Sequence, residues 1–141
     1  VGVEEKEHDL TTKQFANFII CNLLAGSATI TDITNTGRSV AANTACTAPT
    51  IQAGTTGTAA AFTDYALGAE TETVSATIGS ISSNTFTVTG TITATASRAY
   101  QEVGLVVTCS SHTFLITHDT FSTLNVSNGG TLAVTYTFTF T

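Results

Sequence analysis

Apolar and polar positions alternate without a break from Thr131 to Thr141. Leu132, Val134, Tyr136, Phe138 and Phe140 fall on one side, and threonine or alanine fills the other. A period of two is the signature of a strand with one buried face. The same texture recurs upstream in "ETETVSATIG", "NTFTVTGTITATAS", "YQEVGLVVT", "HTFLITH" and "FSTLNVS". Turn chemistry separates these runs, in "GSISSN", "SRAY", "CSSH" and "SNGG". In the second run Phe86, Val88, Ile92 and Ala94 share a face, and Gly90 is expected at a bulge or kink. About seven or eight short strands at this spacing predict an all-β, antiparallel β-sandwich.

The start of the chain has a different period. In "HDLTTKQFANFIICNLLAG" the residues Phe15, Phe18, Ile19, Leu23 and Leu24 recur three and four apart, which predicts a short amphipathic helix over 11–26. Asp9 or Thr11 is available to cap it, Thr11 and Gln14 have capping-box spacing, and Gly26 can end it. Cys21 lies on the apolar face and reads as a small core residue. The preceding "VGVEEKEHDL" is acidic and aperiodic, an N-terminal arm over 1–10. The rest, 27–141, forms the sandwich. Within it "ATITDIT" is a strand followed by a turn at "NTGR". The stretch from Ser39 to Asp64 is a long, partly irregular connection around Pro49, with one short strand.

The terminal strand carries much of the burial energy, since each large apolar side chain is worth roughly 1.5–3 kcal/mol when buried. It is expected to pair across "SNGG" with "FSTLNVS", because Asn128-Gly129 is a hairpin signal. The other reading donates Leu132, Val134, Tyr136, Phe138 and Phe140 to a neighbouring subunit as an assembly strand.

Composition sharpens the question of partners. Charged residues make up only 10% of the chain, and Lys6, Lys13, Arg38 and Arg98 are its only cations. A free soluble protein uses charge, lysine above all, to blunt its sheet edges. A surface of threonine, serine and alanine therefore fits a protein covered by copies or partners. The net charge of −6 argues against nucleic acid. No apolar run reaches the ~18 residues of a membrane helix, so membrane insertion is not expected.

Candidate chemistry is sparse. No Gly-x-Ser-x-Gly elbow is present, and His118-Asp119 reads as a surface pair at a strand end. Glu70, Glu72 and Glu102 are the carboxylates that a glycosidase arrangement would need to converge, but solvent accounts equally well for Glu70 and Glu72. His8, His112 and His118 lack metal-ligand spacing, and "GTTGTAAAF" lacks the Gly-Lys-Ser/Thr of a phosphate loop. No enzyme activity, cofactor or metal is expected. Three cysteines leave at least one unpaired within a monomer and allow three pairings. Cys46 with Cys109 is the preferred pair if a disulfide forms, and the redox compartment stays open. Asn125-Val126-Ser127 is a glycosylation sequon, meaningful only in a glycosylating host.

Four segments together resemble small structural proteins of tailed viruses. The opening "HDLTTKQFANFIICNLLAG" is similar to their N-terminal segment plus helix. "AGTTGTAAAFTDYALGAETET" looks like their G-x-G-T-[ST]-x-x-x-x-[ST]-D-x-x-L-x-x-E segment. Glu102-Val103-Gly104-Leu105 matches their E-[IV]-G-L strand, and "FLITHDTFSTLNVSNGGTLAVTYTFTF" is like their closing segment. His118 stands where those proteins commonly have arginine, and Gly130 where they have aspartate. The resemblance implies a virion protein, a tail, tail-collar or capsid decoration component, working as a homo-oligomer with other virion proteins and without catalytic residues. The alternative is an extracellular, cell-surface filament or pilus-like subunit that polymerises by β-strand donation.

Overall fold

The computed structural model describes residues 10–140. The arm expected at 1–10 lies, except for Leu10, outside the described residues. Leu10–Thr11 is itself a short strand, β1, and the helix α1 begins at Lys13 and runs to Phe18. A π-helical turn, Ile19–Leu23, continues it. The further strands are β2 (Ala28–Thr31), β3 (Gly37–Val40), β4 (Thr50–Gly54), β5 (Glu70–Ser75) and β6 (Thr77–Ile78). β7 (Thr85–Thr93), β8 (Arg98–Cys109), β9 (His112–Val126) and β10 (Thr131–Thr139) complete the chain. The fold is all-β and sandwich-like, with one short helical segment.

Among the described residues the strands form a five-stranded sheet in the order β1–β9–β8–β4–β5, a three-stranded sheet β10–β7–β6 and a two-stranded ribbon β2–β3, all antiparallel. The core lies between the two larger sheets. Ile51, Ala53, Tyr100, Leu105, Phe114 and Ile116 from one meet Val88, Ile92, Leu132 and Tyr136 from the other. Phe18, Cys21, Ile30 and Val40 extend this core from the helical segment and the ribbon. Phe18 meets Phe114 edge-on with ring centroids 5.2 Å apart.

Three local expectations are corrected. First, β10 does not pair with β9 across "SNGG". It runs along β7 from Thr131 opposite Thr93 to Thr139 opposite Thr85, while β9 pairs with β8 as far as Val126 opposite Arg98. The turn instead carries the chain from one sheet to the other. Gly129, at φ 79°, supplies the left-handed residue, and its N–H donates to the Ala94 carbonyl at 2.8 Å. Alternation fixes which face of a strand is buried but not which neighbour it takes, so a local turn signal could not decide the pairing.

Second, Gly90 is not a bulge, for the β7–β10 register passes through it unbroken opposite Val134. A Cβ there would come within 3.0 Å of Val74 Cγ1 and 3.1 Å of Ile51 Cδ1. Gly90 is where the two sheets close on each other. Third, the helix buries only part of the predicted stripe: Phe18 and Cys21 reach the core and Phe15 packs on it, as expected, whereas Ile19, Leu23 and Leu24 do not. The π turn bonds Leu24 N–H to the Ile19 carbonyl and Gly26 N–H to the Ile20 carbonyl, steps of five and six residues. That wider winding leaves Ile19, Ile20, Leu23 and Leu24 exposed. The capping box also does not form. Thr12 stands at the N-cap, its hydroxyl donates to the Leu115 carbonyl, and Gln14 Oε1 accepts from Thr31 N–H.

Candidate functional site

The predicted assembly strand lies at the edge of the three-stranded sheet. Along β10 the threonines and Ala133 face outward, Leu132 and Tyr136 are buried, and Val134 and Phe138 are half-buried. Phe140, just beyond the strand, is 60% exposed. Phe86 stacks on Phe138 at 4.8 Å and on Phe140 at 5.9 Å, so an aromatic row closes this end of the sheet.

This row forms one wall of an open apolar groove of about 370 Å³ between the two sheets. Phe15 and Phe18 from α1, Pro49, Ile78 and Val107 line the rest with little polar surface. Asn22 of the π turn also lines the groove, and the next two residues along the chain, Leu23 and Leu24, are 76% and 68% exposed; Ile81, between β6 and β7, is exposed as well.

The five-stranded sheet holds the charged groups, and two of the predicted carboxylates are buried there. Glu72 accepts hydrogen bonds from Arg98 Nε at 2.9 Å, the Tyr100 hydroxyl at 2.9 Å, the Thr95 hydroxyl at 2.9 Å and the Thr71 hydroxyl. Burial opposes its ionisation, but these donors outweigh burial and bring its pKa down to about 2. Burial and the Glu72 carboxylate push Tyr100 up to about 12. Glu70 stays exposed and bonds only locally, accepting from the Thr73 hydroxyl at 2.9 Å.

Glu102, 1% exposed, accepts from the backbone N–H groups of Gly68 at 2.9 Å and Ala69 at 2.7 Å. It also accepts from Thr56 N–H at 3.4 Å and lies 3.0 Å from His118 Nε2, and His118 Nδ1 lies 2.6 Å from Asp64 Oδ2. The surface-pair reading of His118 and Asp119 is therefore corrected, because both are buried. Two carboxylates thus flank one imidazole, one at each ring nitrogen. Asp64 and Glu102 both belong to this trio, and Asp64 also accepts from Ala61 N–H at 2.7 Å. The trio thereby fastens the segment 55–69 over β8 and β9, with Leu67 packed on Val106 and Leu115 beneath it. Glu102, buried and held by backbone donors, and the half-buried Asp64 act as loop anchors. Sequence reasoning weighed His118 and Glu102 separately and missed Asp64. Only long-range pairing joins them, by setting Gly104 opposite His118 and Glu102 opposite Thr120.

A third anchor, Asp32, accepts from the Thr34 hydroxyl at 2.6 Å, Arg38 Nε at 2.6 Å and the N–H groups of Thr34 and Thr36. The Thr34 hydroxyl, then Arg38 and the two N–H groups, hold its carboxyl well below the usual carboxylate range against the opposing effect of burial. Cys46 and Cys109 are joined by a disulfide, and Cys21 is a buried free thiol. No group of three or more metal-ligating side chains is found among the described residues. No helix among them is long and apolar enough to cross a membrane. Comparison with protein-family models, with curated proteins and with solved structures finds no significant match.

Proposed function

We propose that the protein is a non-enzymatic structural subunit that works through contacts with copies of itself and with other virion proteins, as a capsid decoration or tail component. The observation that carries this reading is the apolar end of the sandwich. There Ile78 and Phe140 are exposed on the wall of an apolar groove, Asn22 of the π turn also lines it, and the next two residues along the chain, Leu23 and Leu24, are exposed. Exposed apolar surface of this extent marks an interaction site in a soluble protein. The low charge content agrees with it, since a surface covered by neighbours does not need charge for solubility. The four-segment resemblance to small proteins of tailed viruses supplies the virion setting.

A filament subunit joined by strand donation is the second reading. It is favoured by the position of β10, an uncharged strand with one neighbour in its sheet among the described residues. Negative-stain electron microscopy of the purified chain distinguishes the two. Discrete, closed particles are expected for the virion subunit, and long regular filaments would overturn it in favour of strand donation. Replacing Leu23 and Leu24 together by serine should dissolve the particles while leaving the fold intact. Particles unchanged by that double substitution would remove the apolar end from the argument.

A further inference from the structure

The outer edge of β10 is a second, independent surface, and its hydrogen-bond phase can be read from the ends of its ladder. Ala94 N–H donates to the Gly130 carbonyl at 2.9 Å, and Phe140 N–H donates to the Asn84 carbonyl at 2.8 Å. Antiparallel ladders alternate, so every even-numbered residue from Gly130 to Phe140 turns its backbone toward β7. The backbone N–H and C=O groups of Thr131, Ala133, Thr135, Thr137 and Thr139 therefore point away from the sheet. The side chains of all these residues are exposed. No charge, proline or bulge interrupts this edge. Natural edge strands carry such features to prevent pairing, and none is present here.

We propose that this edge pairs antiparallel with β10 of a second copy about a two-fold axis at Thr135, joining two three-stranded sheets into one. The inference rests on the assembly reading above and names the strand that carries it. A second copy is the occupant because the strand is complementary to itself in this register. Thr131 meets Thr139, Ala133 meets Thr137 and Thr135 meets its own mate, each pair exchanging both backbone hydrogen bonds. On the apolar face Leu132 meets Phe138 and Val134 meets Tyr136, in the closely spaced positions where aromatic and branched side chains stabilise a sheet. Phe140 falls opposite Gly130, where a ring covers the glycine that has no side chain of its own. No like charges oppose each other at any position.

The test uses the full chain and Thr135→Lys, an exposed substitution that places two ammonium groups across the axis. Sedimentation velocity over a wide concentration range should show association weakened by about a hundredfold, with an unchanged circular dichroism spectrum. An equimolar mixture of Thr135→Lys and Thr135→Glu should associate again. Thr135→Cys should cross-link to itself on mild oxidation, because directly hydrogen-bonded residues stand about 5.5 Å apart at Cα, within disulfide reach. A wild-type chain that is monomeric at every concentration overturns both this inference and the assembly reading. Assembly unaffected by Thr135→Lys, with no cross-link through Thr135→Cys, overturns the β10 edge alone. Disruption by lysine without rescue or cross-linking would give the edge to a strand of a different protein and overturn the two-fold pairing.

Discussion

The five-stranded sheet contains Glu70, Glu72, Arg98, Glu102, His112, His118 and Asp119, whereas the three-stranded sheet contains no charged or imidazole side chain at all. Both sheets contribute one face to the same core, yet their outer surroundings differ. The charged sheet is roofed by the segment 55–69, which Glu102, His118 and Asp64 tie down, and its β5 side is tied through Glu72 to Arg98 and Tyr100. Among the described residues the uncharged sheet has no such roof and ends at β10 as an edge strand. A buried charge is costly unless it is hydrogen-bonded, so the first sheet must be closed and specific. The second carries no such constraint and is left available for contact.

Deleting Thr131–Thr141 should break the comparison most severely. It strips Leu132, Val134, Tyr136 and Phe138 from the core and leaves β7 with only two residues of β6 beside it. Complete loss of the near-ultraviolet circular dichroism signal is expected; a native-like signal would show that the charged sheet folds alone. Glu102→Ala should come next. It leaves His118 and the Gly68 and Ala69 N–H groups without their acceptor, and a loss of about 3–5 kcal/mol is expected by urea denaturation. Cys46→Ser opens a link across a sequence separation of 63. It should cost about 2–4 kcal/mol, with the same loss on reduction of the wild type.

The pH dependence should be set by the charged sheet. Glu72 has its folded pKa lowered to about 2 from an ordinary 4.5, so its stabilisation is present above 4.5 and is lost as pH falls toward 2. Tyr100 is raised from 10.0 to about 12, so its contribution is present below 10.0 and disappears as pH rises toward 12. A Tm-versus-pH profile should fall at both ends; Glu72→Gln should flatten the acid limb and only lessen the alkaline one, because burial is the larger cause of the Tyr100 shift. An unchanged acid limb in that variant would exclude Glu72 as its source. The smallest effect is expected at Phe140→Ser, within about 0.5 kcal/mol in stability but weakening assembly by light scattering.

Much of this contrast was legible in the sequence, and the illegible part has a common cause. The alternation of β10 and the shared face of Phe86, Val88, Ile92 and Ala94 follow from period two, and the structure buries them accordingly. The turn at "CSSH" is also local: Ser110 and Ser111 take the positive φ values of a tight hairpin. The neighbour of β10, the closeness of the sheets at Gly90 and the meeting of Asp64, His118 and Glu102 all depend on residues dozens of positions apart. No local period encodes those. The helix was misread for a different reason. A stripe drawn at 3.6 residues per turn places Cys21 inward correctly but cannot foresee a π turn that leaves Leu23 and Leu24 outward.

The distance along the chain between β7 and β10 has a consequence for synthesis. β7 ends at Thr93 and its main partner starts at Thr131. At roughly 5–20 residues per second, β7 leaves the ribosome about 2–8 s before β10 does. Throughout that interval Phe86, Val88 and Ile92 belong to an uncharged strand whose principal mate has not been made. The nascent chain therefore offers a sticky, half-built sheet to whatever lies nearby, including other nascent copies on the same message. Slow codons between Thr93 and Thr131 would lengthen that exposure without altering a single residue of the finished protein.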